Sequence, residues 1–89
     1  MSQYSKLLLQ SAREIREYST SEKRSQYFEP EWLESIAARM EKAGVATDNR
    51  DAELQIQSIT RTLIDSGPSA SECAPSFEII LTALHKSKK

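Results

Sequence analysis

At 89 residues the chain has length for one small domain, near the lower limit for building a core unaided. Twelve Lys and Arg against thirteen Asp and Glu give a net charge of −1, which excludes bulk attraction to nucleic acid or anionic lipid. The single cysteine, Cys73, excludes an internal disulfide, so stability has to come from packing, with self-association as the other available source.

Glycines and prolines are few, and apolar residues are spaced rather than clustered, which predicts a folded chain. The first helix is predicted over residues 4–18. Tyr4, Leu7, Leu8, Ala12, Ile15 and Tyr18 share one stripe, with Arg13, Glu14 and Glu17 outside it. Leu9 lies off the stripe. Residues 19–26 contain no apolar side chain and read as a polar linker.

The second helix is predicted over 30–43. Pro30 suits the first helical position, where its missing N–H costs nothing, and Glu29 is a poor cap. A hydrophobic staple between Phe28 and Leu33 is expected to compensate. Trp32, Leu33, Ile36, Ala37, Met40 and Ala43 form the apolar face, with Trp32 as a core anchor, and Gly44 ends the helix.

The third helix, 49–66, carries the clearest signals. Asp48 and Asn49 can accept hydrogen bonds from the first turn, and Asp51 and Glu53 put negative charge where the helix dipole favours it. Gly67-Pro68 is a stop signal. Ala52, Ile56, Ile59 and Leu63 fall within about 60° of one another at about 100° per residue. After a loop of small residues, Pro75 opens a fourth helix over 75–86, with Phe77, Ile80, Leu81 and Leu84 on one face. Residues 85–89 are expected to form a basic, mobile tail. No window shows strand-like alternation. The expectation is an all-α fold, a compact bundle of four short amphipathic helices making one domain over 1–89.

The chemistry-bearing residues are sparse. One His and one Cys, far apart, give no zinc spacing, and the acids at 48, 51 and 53 lack a calcium-loop pattern, so no metal and no cofactor is expected. Cys73 has no neighbouring base and reads as an inert thiol. His85 reads as a surface residue complementing a helix dipole. No catalytic residue is assigned, and the chain is expected not to be an enzyme. Glu41 to Val45 resembles the turn of helix-turn-helix regulators over five residues. Six and nine residues after the turn glycine, however, stand Arg50 and Glu53 where such a motif needs apolar residues, and Asp48 and Asp51 face where DNA phosphates would lie.

What remains is surplus hydrophobicity. Leu9, Leu54 and Ile79 lie outside the core stripes, Leu54 about 160° from Ala52 and Ile79 about 160° from Phe77 by helical geometry. With Tyr27 and Phe28 as aromatic neighbours, they are the candidate contact residues for a protein partner or a second copy of the chain. The longest early apolar run, Leu7 to Leu9, is too short for a signal-peptide core or a membrane span, so no membrane role and a cytoplasmic location are expected. The function expected is protein–protein association of an accessory, adaptor or inhibitor type, with another protein or as a homodimer. A nucleic-acid-associated regulator and a small enzyme without a recognisable motif are the rivals.

Overall fold

Local signals place all four helices within a residue or two of expectation. A computed structural model describes residues 2–24, 26, 28–66 and 73–87, which form α1 (Ser5–Ser19), α2 (Pro30–Gly44), α3 (Asn49–Ser66) and α4 (Pro75–Ser87). No strand occurs among the described residues. The Gly67-Pro68 stop signal, the small-residue loop before Cys73 and the last two lysines lie outside them. The Cα radius of gyration, 12.3 Å, is close to the roughly 12 Å of a compact chain of this length.

The helix starts differ in how their free amides are met. Asp48 Oδ1 accepts from the Arg50 N–H at 3.2 Å, a side-chain cap for α3. Asn49 instead turns its Oδ1 to the Gln3 N–H at 2.9 Å, tying the segment before α1 to the start of α3. Glu29 makes no side-chain cap bond, as expected of a poor cap. Phe28 stacks on Trp32, with ring centroids 6.0 Å apart and planes 24° apart. At α4 the cap comes from another helix: Glu14 of α1 accepts from the Ser76 N–H at 2.9 Å and from the Ser76 hydroxyl at 2.7 Å. That carboxylate satisfies a free first-turn amide and lies where the dipole of α4 is positive.

The predicted stripes face one interior. Leu8, Ala12 and Ile15 of α1, Ile36 and Met40 of α2, Ile56 and Ile59 of α3, and Phe77 and Ile80 of α4 are buried in a single cluster. Trp32 is half-buried against that cluster, with Phe28 stacked on it. Burying such a side chain contributes about 1.5–3 kcal/mol, so the faces legible in the sequence are also what holds the helices together.

Gly44 is where the packing is tightest. It is the last residue of α2, and a Cβ placed there would meet Leu9 Cδ2 at 3.0 Å, Leu9 Cγ at 3.1 Å and Leu8 Cβ at 3.3 Å. The Ser5 hydroxyl donates to the Gly44 carbonyl. Gly44 therefore ends the helix as expected, yet its backbone is not left-handed, and Val45 after it is also right-handed. The glycine is there so that α1 can lie directly on α2.

α1 packs extensively on α2 and α4, and α2 packs on α3. The remaining edge of the bundle, between α3 and α4, has no comparable packing among the described residues. Among the described residues three edges are closed and the α3–α4 edge is the open one.

Candidate functional site

The open edge is a trough of about 500 Å³, lined from α3 by Gln57, Thr60, Arg61, Ile64 and Asp65 and from α4 by Leu81, Leu84 and His85. Its lining follows from helical spacing. Thr60 and Ile64 are four residues apart, as are Gln57 and Arg61, so both pairs fall on the same flank of α3. Leu81, Leu84 and His85 sit three and four apart on α4 and face them. The apolar part is Ile64, Leu81 and Leu84. The Thr60 hydroxyl is used within its own helix, donating to the Ile56 carbonyl at 2.7 Å. Arg61, Asp65 and His85 supply charge and polarity around it.

The two flanks of α3 have different fates. On one, Arg39 of α2 donates to Thr62 Oγ1 at 3.0 Å and to Ser58 Oγ at 2.8 Å, locking the helix to its neighbour. On the other, Ile64 stands 73% exposed at the trough. Large exposed aliphatics are ordinary when scattered. One that sits beside Leu81 and Leu84 in a concave surface is part of a patch.

The five residues singled out from sequence are placed as follows. Leu54 and Ile79 are 58% and 56% exposed, on α3 and α4, as their off-stripe angles imply. Leu9 is half-buried, its side chain resting over Gly44. Phe28 is half-buried on Trp32, and its carbonyl takes a hydrogen bond from the Arg24 guanidinium. Tyr27 lies outside the described residues. None of the four described ones lines the trough. Ile64, which does, was missed because it follows the core residue Leu63. Its signal was present: at about 100° per residue it lies about 110° from the middle of the buried face of α3.

Cys73 is buried in the core cluster. His85 is exposed at the trough, in the last turn of α4 with Lys86. Among the described residues no three of His, Cys, Asp and Glu come together as a metal site would require. The helix-turn-helix resemblance ends at the turn. Arg50 is exposed, and Glu53 accepts from the Tyr4 hydroxyl at 3.2 Å, so α3 docks through Ala52, Ile56, Ile59 and Leu63 instead. Among the described residues no helix is long and apolar enough to cross a membrane.

No family model, curated protein or solved structure matches this chain. The functional argument therefore rests on the trough and on the side chains around it.

Proposed function

We propose that this protein is a non-enzymatic, cytoplasmic binding protein that acts by association with another protein chain, and that the α3–α4 trough is its contact site. The observation that carries this is Ile64, an aliphatic side chain 73% exposed beside Leu81 and Leu84 on the edge left open. Covering it would recover about 1.5–3 kcal/mol that the isolated chain leaves unused. The trough's volume of about 500 Å³ is within the range of small-ligand sites, but such sites enclose most of their ligand. A trough between two helices suits an elongated occupant, a helix laid into a groove with its apolar side down. Arg61, Asp65 and His85 around the apolar strip are the polar rim such contacts have.

The test is capture from the native host by wild-type protein and by Ile64→Glu, with far-UV circular dichroism as the control for folding. The variant is expected to stay helical and to lose whatever the wild type retains. An unchanged set of bound proteins would remove the trough from the mechanism.

A further inference from the structure

The charges on the outer face of α3 suggest what occupies the trough. At about 100° per residue, Arg50, Glu53, Leu54, Arg61, Ile64 and Asp65 fall within about 120° of one another, from about 90° (Glu53) to about 170° (Leu54) away from the middle of the buried face. Leu54 and Ile64 are the two large exposed aliphatics of that helix. The Tyr4 hydroxyl, 3.2 Å from Glu53 Oε1, fixes the Glu53 carboxylate, while Arg50, Arg61 and Asp65 are exposed.

The order of these charges makes the face complementary to itself. Arg50 and Asp65 lie equally far on either side of a point between Gln57 and Ser58, and Glu53 and Arg61 are balanced about Gln57. A two-fold axis through that point lays α3 of one copy antiparallel on α3 of another. It sets Arg50 against Asp65, and Glu53 against Arg61, twice each. A parallel arrangement would set like charge on like. In the antiparallel register Leu54 of one copy lies within a turn of Ile64 of the other, over the trough completed by Leu81 and Leu84. The net charge of −1 raises no long-range barrier to such pairing.

We infer that the occupant is a second copy of this chain, in an isologous dimer where Leu54 of each copy fills the other's α3–α4 trough and Arg50–Asp65 and Glu53–Arg61 pairs fix the register. This rests on the trough being a protein contact site and names its partner. Contact limited to one face of α3 and the adjoining trough of each copy makes the dimer modest, with a Kd on the order of micromolar.

Sedimentation velocity of the full chain from about 1 to about 500 µM spans that range. The wild type is expected to pass from monomer to dimer. Asp65→Arg sets Arg against Arg at both ends and should weaken the dimer about tenfold at low salt. Arg50→Glu combined with Asp65→Arg should restore it, and places each new charge at the helix end its dipole favours. Leu54→Glu should weaken it about a hundredfold with helicity kept. A Gln57→Cys variant should form a disulfide-linked dimer on mild oxidation, because that position lies beside the axis.

A wild type that stays monomeric at the highest concentration overturns the inference. So does a dimer indifferent to Leu54→Glu or to the charge swap. If the protein is monomeric and Ile64→Glu still abolishes capture of a different protein, the dimer is wrong and the trough remains the contact site. If that variant loses nothing either, both fail.

Discussion

Replacing Gly44 with alanine sets two effects against each other, and the structure decides between them. In a helix interior the change stabilises by about 1 kcal/mol. At the last residue of α2 the gain is smaller, because that position is already at the helix end. Against it, the new methyl would sit 3.0 Å and 3.1 Å from Leu9 Cδ2 and Cγ and 3.3 Å from Leu8 Cβ. The end of Leu9 is half-exposed and can swing aside. Leu8 Cβ is fixed to the backbone of a fully buried residue and can move only with α1. Overpacking of this kind costs about 1–3 kcal/mol, so the net expectation is destabilisation by about 1 kcal/mol. In a domain of this size that lowers Tm by about 4–8 °C. Urea denaturation followed by circular dichroism should show a lower midpoint with an unchanged slope. A double-mutant cycle tests the cause. In a Leu9→Ala background two of the three close atoms are gone, and Gly44→Ala should cost about 1 kcal/mol less than it does alone. If Gly44→Ala is as stable as wild type or more so, the close approach of α1 is not what places a glycine there.

Three further outcomes follow from burial and hydrogen bonding. Phe77→Ala empties a fully buried site at the centre of the cluster; a loss of about 3–5 kcal/mol, much of a small domain's total stability, should leave the protein largely unfolded by near-UV circular dichroism at 37 °C. Glu14→Ala removes both bonds to Ser76 and should cost about 1–2 kcal/mol, with hydrogen exchange quickened in the first turn of α4; unchanged exchange there would mean the cap contributes nothing. Leu54→Glu and Ile79→Glu, at positions 58% and 56% exposed, should each change stability by less than about 0.5 kcal/mol. Of the two, only Leu54→Glu should affect self-association, and unfolding in either variant would put that side chain in the core.

Most of the fold was legible in the sequence because its signals are local. Pro30 and Pro75 at first helical positions and Asp48 before Asn49 mark starts through the chemistry of the first turn. The spacing of Ala52, Ile56, Ile59 and Leu63 marks a buried face through the pitch of the helix. The outward angles of Leu54 and Ile79 follow from the same pitch. The site was less legible. A sequence shows that a helix has a buried side, not which of its two flanks a neighbour will cover.

Residues distant in the chain made those decisions. Glu14 caps α4 through Ser76, sixty-two residues later in the chain, and nothing near Glu14 in the sequence marks it for that use. Gly44 looked like a terminator and proved to be a spacer, because only the packed structure puts Leu8 and Leu9 of α1 against it. Arg39 closes one flank of α3 through Ser58 and Thr62, and the opposite flank is left to Ile64. Periodicity acts within a segment and determined which residues turn inward. The pairing of segments depends on how side chains of unrelated stretches fit together, so only the tertiary structure decided which edge of the bundle stayed open.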